Sequence, residues 1–311
     1  MPNNVQHPEY IYRIVHINNV NYLLGEGMCS PQHRKAAMNY TQIGDPALIR
    51  VRSRKEVPIA PGGMMSEYVP FYFGGKMPML WSMLHVHEIL FKRYQEKESG
   101  WPQRFDARGT FLRHQSELVI IACKFQKVLE LCPEWCFTDG HATSPRTHFY
   151  NDLADLARLN WYLIDNPHRS RDWEADRVRQ AEFLVRDEVP VACIDHLVIR
   201  YEEQQAGLEK LIKVKGLSIL VQVDYYPHLF FEKEGKTIQQ LVPYTLDVSA
   251  TDEENDYGML ETLHLQGLIL GETSEPELEP DEWDAIQDDE TAMELFEEKL
   301  SKAMEESDWP R

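Results

Sequence analysis

Charge is distributed along this chain in a way that decides how much of it can pack into one core. Residues 232–311 hold 24 Asp and Glu against 5 Lys and Arg, which accounts for the whole net charge of −19, whereas residues 1–231 hold 27 of each sign. A stretch carrying so much like charge repels itself and buries little apolar surface. A compact domain is therefore expected over residues 1–231, followed by an acidic tail over 232–311 that is partly disordered. Within the tail, Glu275-Pro276-Glu277-Leu278-Glu279-Pro280-Asp281-Glu282 reads as a linker, and residues 290–305 read as an amphipathic helix with Met293, Phe296, Leu300 and Met304 on one face.

The same partition widens the choice of partners. A whole-chain pI near 5.0 argues against a polyanionic partner, but the first 231 residues are neutral with local basic clusters and can meet nucleic acid. No run of 18 or more apolar residues occurs, so no membrane association is expected. The start, Met1-Pro2-Asn3-Asn4-Val5-Gln6-His7-Pro8, lacks the basic and apolar regions of a secretory signal. A soluble, cytoplasmic protein is expected. Its five cysteines, Cys29, Cys123, Cys132, Cys136 and Cys193, are odd in number and scattered, as suits reduced thiols. Cys132 and Cys136 lack two further ligands at zinc-site spacing, so they read as structural and no metal is expected.

Strand formers dominate Ile11 to Val15, and Val20 to Leu24 reads as a short helix stopped by Gly25 and Gly27. Proline, glycine and aromatics between Pro58 and Pro78 predict a loop that feeds a strand at Val69 to Phe73. Val119 to Cys123 has the length of a buried strand, Leu153 to Trp161 has near-helical apolar spacing, and Glu182 to Val185 and Leu217 to Val223 supply further strands. Short strands interleaved with helices, without a GxGxxG fingerprint, favour α+β over a doubly wound sheet.

Several segments carry chemistry. Arg179-Gln180-Ala181-Glu182-Phe183-Leu184-Val185 sets one carboxylate among small and apolar neighbours at the start of a strand. Such a carboxylate can accept from a sugar hydroxyl or stabilise a cationic carbon as a glycosidic bond breaks, or simply pair with Arg179 or Arg177. In Tyr12-Arg13-Ile14-Val15-His16-Ile17-Asn18-Asn19, the His16 imidazole can donate to a ribose hydroxyl and the Asn18 amide can pair with a carboxamide, unless His16 is only structural. Gly27 either lets backbone approach a dinucleotide or caps a helix. Ile43-Gly44-Asp45-Pro46 precedes Arg50-Val51-Arg52-Ser53-Arg54-Lys55, which puts alternate arginines on one side if extended, suited to phosphates. Tyr68-Val69-Pro70-Phe71-Tyr72-Phe73 and Phe137-Thr138-Asp139-Gly140-His141-Ala142 complete the set.

These five segments, in their order along the chain, resemble the DarT family, toxins that use NAD to ADP-ribosylate bases in single-stranded DNA. The resemblance runs as far as Phe231. It implies an ADP-ribosyltransferase-like split β-sheet sandwich with flanking helices and an NAD cleft between the sheets, to which this chain adds its acidic extension. It implies NAD as co-substrate, His16, Ile17, Asn18, Gly27 and Arg52 at the NAD site, and Arg52 and Glu182 as catalytic groups. Arg54 competes with Arg52, because the family usually has adjacent arginines where this chain interposes Val51 and Ser53. Arg54, Thr147, His148 and Arg179 are implied contacts to DNA, with Phe149, Tyr150 or Trp173 stacking on bases or packing in the core. A basic path could continue through His168-Arg169-Ser170-Arg171, Arg177, Lys210, Lys213 and Lys215.

Likeness to the thymidine-type members favours thymine over guanine, and the implied partner is a macrodomain antitoxin. Two other readings stand beside this one: an NAD-dependent RNA phosphotransferase on a related fold, and a catalytically silent nucleic-acid binding module. The tail either folds over the basic groove as a phosphate mimic or serves as a solubilising or partner-binding segment.

Overall fold

A computed structural model describes residues 8–44, 46–81, 83–84, 115–165, 173–226 and 228–232. The linker and helix expected within the tail, the basic run at 168–171 and the Trp173 side chain lie outside the described residues.

Strand β1 (Tyr10–His16) is built from β-branched and aromatic residues and pairs antiparallel with β4 (Leu118–Lys124) without a break, from Tyr10↔Lys124 to His16↔Leu118. β4 is apolar on both faces. Val119, Ile121 and Cys123 enter the larger core, while Leu118 and Ile120 enter a second cluster on the opposite face. Around this pair the described residues form an eight-stranded sheet in the order β10-β9-β4-β1-β3-β7-β5-β6. The remaining members are β3 (Tyr68–Tyr72), β5 (Trp135–Thr138), β6 (Phe149–Tyr150), β7 (Glu182–Arg186), β9 (Ile194–Ile199) and β10 (Leu220–Val223). All described pairings in it are antiparallel except β9 with β10. A small second sheet joins β2 (Met28–Cys29) to β8 (Glu188–Val189).

The sheet is split in the middle. β1 and β3 meet at one register pair, Tyr12↔Tyr72, while β3 pairs with β7 over five residues. Pro70 explains the gap: it has no N–H to give a ladder, and its carbonyl is taken by Arg13 Nη1 at 2.9 Å. Two four-stranded halves therefore diverge from a single rung.

Helices α1 (Val20–Glu26), α3 (Phe125–Leu131) and α6 (Gln205–Val214) cover one face, burying Val20, Leu23, Leu24, Phe125, Val128, Leu208 and Ile212 in the larger core. Phe183 and Val185 of β7 point into that core, so Glu182 and Leu184 face the other way, where Leu184 packs with Val57, Met65 and Tyr68. Cys132 and Cys136 fall in different clusters and share no site. Lys210, Lys213 and Lys215 belong to α6 or its end, on the layer opposite Glu182, away from any path across the Glu182 face.

Two local expectations need correction. The Leu153–Trp161 segment is not one helix but a 3-10 turn over Leu153–Arg158 followed by α4 (Trp161–Asp165). Leu159 is extended between them, and Asn160 Oδ1 accepts from the Leu163 N–H at 3.2 Å, starting a new helix instead of continuing the old turn. The arginines at 50–54 are not on a strand either. They lie on α2 (Pro46–Arg54), which begins at proline, a residue suited to the first helical position.

Gly27 ends α1 with φ +82°, and a Cβ there would stand 2.6 Å from the Val189 carbonyl oxygen. The close backbone approach that requires glycine is thus made by the chain's own residues. Gly27→Ala should cost about 1–3 kcal/mol of unfolding free energy, measured by urea denaturation; an unchanged midpoint would contradict this packing.

Candidate active site at the seam of the sheet

Helical geometry sorts the arginines of α2. Two residues along a helix is a turn of roughly 200°, so Arg52 points away from the side occupied by Arg50 and Arg54. Arg54 is exposed. Arg52 turns inward and grips Glu182 with both ends of its fork, Nη1 to Oε1 at 3.0 Å and Nη2 to Oε2 at 2.9 Å. Glu182 is only 3% exposed. The neighbouring arginines have other partners: Arg179 binds Asp176 at 2.7 Å, and Arg177 binds Glu174 and Asp139. An ordinary ion pair between Glu182 and its sequence neighbours is therefore not what the structure contains.

β7 delivers Glu182 opposite Tyr72, the residue of β3 that makes the single rung to β1. The carboxylate thus stands beside the split. Thr138 of β5 fixes the backbone there: its hydroxyl accepts from the Glu182 N–H at 3.1 Å and donates to the Gly140 carbonyl at 2.7 Å. Beyond β5 the loop returns over the carboxylate, and the Ala142 N–H donates to Oε1 at 3.0 Å. Lys55, just past α2, reaches the same loop with Nζ 2.8 Å from the Thr143 carbonyl. Among the described residues, Oε1 therefore carries two donors and Oε2 one.

The electrostatics follow from this wiring. Burial alone would raise the Glu182 carboxyl, but the Arg52 charge, the two Arg52 hydrogen bonds and the Ala142 N–H outweigh it and hold the group below the usual carboxylate range. Glu182 is ionised at neutral pH. Burial and then the Glu182 charge push the Tyr72 hydroxyl up, so it stays protonated. Burial drives the His141 imidazole down to about 4, leaving it neutral beside Glu182, with Nδ1 2.7 Å from the Thr143 hydroxyl. A guanidinium offers five N–H donors, of which Glu182 takes two, so Arg52 can serve a second anion while keeping its pair.

The other expected residues are placed as follows. His16 and Ile14 are on one side of β1, the Glu182 side by the Tyr12↔Tyr72 register. His16 Nδ1 accepts from the Asn18 N–H at 3.2 Å, and Nε2 faces Glu117 at 3.3 Å. Ile17 is wholly buried in the larger core, and Asn18 is half-buried. Gly27 closes α1 against residues 189–191. The Thr147 hydroxyl donates to the His141 carbonyl at 2.8 Å and accepts from Arg177, whereas the His148 ring is 74% exposed beside Asp139. Arg179 is held by Asp176, with its side chain 8% exposed.

Reading the sequence did not find Glu117, Asn19 or the Ala142 N–H. Asn19 ties the 41–44 segment to the end of β1 through two bonds of 2.9 Å with Thr41. Among the described residues one group offers three metal donors, Cys29, His33 and Glu188. The Lys35 ammonium lies 3.0 Å from Glu188 and already neutralises the carboxylate that a cation would need.

Comparison with known proteins agrees with this arrangement. Residues 12–99 and 103–231 match the family described as "ssDNA thymidine ADP-ribosyltransferase, DarT". A DNA ADP-ribosyl transferase of Escherichia coli O127:H6 is 29% identical over 218 residues, covering 68% of this chain and 89% of that protein. Another from Thermus sp. 2.9 is 26% identical over 223 residues, covering 70% and 96%. The solved structure "Thermus sp. 2.9 DarT in complex with ADP-ribosylated ssDNA" superposes with a TM-score of 0.56 at 25% identity, over 73% of this chain and all of that one. The same fold is met in "Thermus sp. 2.9 DarT in complex with NAD+", with a TM-score of 0.54 at 23% identity over 72% of this chain. With an α+β fold split at its centre and a buried arginine-bound glutamate at the split, the chain belongs to the DarT family of single-stranded-DNA thymidine ADP-ribosyltransferases.

Proposed function

We propose that Glu182 and Arg52 carry the transfer of ADP-ribose from NAD to thymine in single-stranded DNA. The observation behind this assignment is the ionised, fork-bound Glu182 whose Oε2 has a single donor. NAD supplies the glycosidic bond from which nicotinamide leaves; the base nitrogen takes its place on the anomeric carbon and gives up its proton to water. Oε2 can turn to a ribose hydroxyl while Oε1 stays on Ala142 and Arg52, leaving negative charge beside the carbon where positive charge develops. Solved relatives named as complexes with NAD+ and with ADP-ribosylated single-stranded DNA support this choice of substrates.

Arg52 is a poor proton acceptor. Burial would ease deprotonation of its guanidinium, but Glu182 more than reverses this and lifts it above its already high ordinary value. Its role is to hold Glu182 in place, neutralise the diphosphate and stabilise the imide nitrogen as it loses its proton. Arg54, on the outer side of α2, and His148, which keeps its contact with Asp139, are exposed and can meet the DNA strand at the rim of the site. Thr147 and Arg179, already bonded within the protein, shape that surface through their partners. His16, at the end of β1 on the Glu182 side, and the half-buried Asn18 are the groups we assign to the NAD site there, while Ile17, buried in the larger core, and Gly27, packed against residues 189–191, bear on it only through the backbone.

Residues 1–231 form the transferase unit and 232–311 an acidic extension, consistent with a family match that stops at 231. Among the described residues no helix is long and apolar enough to cross a membrane. The toxin role and a macrodomain hydrolase as antitoxin rest on kinship alone. RNA phosphate transfer and a silent binding module both give way to the family assignment.

Glu182→Gln should lower the transfer rate by about 10²–10³-fold with the fold retained by circular dichroism; parental speed would overturn the assignment. Arg52→Lys, which cannot reproduce the fork, should lose rate at every pH. Full retention would contradict the bidentate role. Incubation with NAD and short oligonucleotides differing in one base, followed by mass spectrometry, should give an adduct only where thymine is present.

A further inference from the structure

The loop that brings the Ala142 N–H to Glu182 is held from beneath by one buried arginine. Arg177 is 7% exposed and lies on α5 (Trp173–Arg179), immediately before β7. Its Nε and Nη2 bind the Glu174 carboxylate, at 3.0 and 2.6 Å. Nη1 turns the other way, to Asp139 Oδ1 at 3.1 Å and Thr147 Oγ1 at 2.9 Å. The Arg177 carbonyl accepts from the His141 N–H at 2.9 Å. Gly140 lies against the same guanidinium, with room for no Cβ, which would overlap Nη1 and approach the Arg177 carbonyl to 3.0 Å.

One residue thus grips positions 139, 140, 141 and 147. The loop closes on itself through His148 N–H to Asp139 Oδ1 at 2.9 Å and the Thr147 hydroxyl to the His141 carbonyl at 2.8 Å. Ala142 is the next residue along, and its direction is set by the residues just before it. Two carboxylates facing opposite ends of the fork compensate for burying the cation, and a lysine could not serve both.

We propose that Arg177 is a positioning residue for the transfer reaction: by clamping the 139–147 loop it aims the Ala142 N–H at Glu182 Oε1 and so fixes the orientation of the catalytic carboxylate. This rests on the role assigned to Glu182. Arg177 contacts neither Glu182 nor Arg52 and acts only through the backbone of the loop. Without the clamp, Oε1 loses one of its two donors. The ionised form of Glu182 is then less favoured, and the carboxylate turns more freely about the Arg52 fork.

The test uses the full chain with Arg177→Met and, as a milder change, Thr147→Val, which removes one of the two loop acceptors. Rates are measured at saturating thymine-containing oligonucleotide, with NAD varied, across pH. In Arg177→Met, kcat should fall roughly 10–100-fold, as for a misaimed catalytic group, with KM for NAD little changed. In both variants the acid limb of the rate profile should move to higher pH, because protonating Glu182 becomes easier. An unmoved acid limb in variants that fold, or a loss confined to KM, overturns the proposal; if Arg177→Met does not fold, the acid limb of Thr147→Val decides. Glu182→Gln at parental speed would sink the parent assignment instead. Glu182→Gln inactive with an unmoved acid limb in the other two variants sinks this inference alone.

Discussion

The pairing of Arg52 with Glu182 is the interaction on which the rest of the site depends. A carboxylate this deeply buried would be costly to keep charged alone, and its repayment comes from a fork-shaped cation and one backbone N–H. Those donors come from parts of the chain 130 and 40 residues away from Glu182. The helix carrying Arg52, the strand carrying Glu182 and the loop carrying Ala142 must all be in register before the charge is tolerable. The site is thus assembled by the fold as a whole.

Placement of this pair follows from the layers. Strand alternation puts Phe183 and Val185 of β7 into the larger core and leaves Glu182 on the other side, where α2 crosses. Helices α1, α3 and α6, which bury their apolar faces in the larger core, are on the opposite layer, so the layer carrying the Arg52–Glu182 pair is not the one they cover. Gly27 illustrates the division: the conformation that marks it out serves the join between α1 and the 189–191 segment.

What could be read from the sequence depended on whether a residue's surroundings are local. β1, β4 and β7 were legible because runs such as Leu118-Val119-Ile120-Ile121-Ala122-Cys123 leave little choice but a buried strand. Glu182 and Arg52 stood out by kinship, but the reason for preferring Arg52 over Arg54 did not, since alternation on a strand treats them alike while a helix points them apart. Asn160 breaking the Leu153–Trp161 pattern is a side-chain competition that apolar spacing does not register. Ala142 contributes only a backbone N–H, which no side chain advertises. Arg177 reads from the sequence as part of a basic path for DNA or as a partner of Glu182, because its loop partners Asp139 and Thr147 are 38 and 30 residues distant.

Pro70 gives the central split a further meaning. Where most sheets zip neighbouring strands from end to end, this one is pinned at Tyr12 and Tyr72 and left unlaced beyond, with Arg13 returning a single bond to the orphaned carbonyl. The split between the two halves is not carved out of a finished core by trimming side chains. It follows from main-chain bonds that are not made between β1 and β3, so its place in the sheet is set by the backbone and by Pro70.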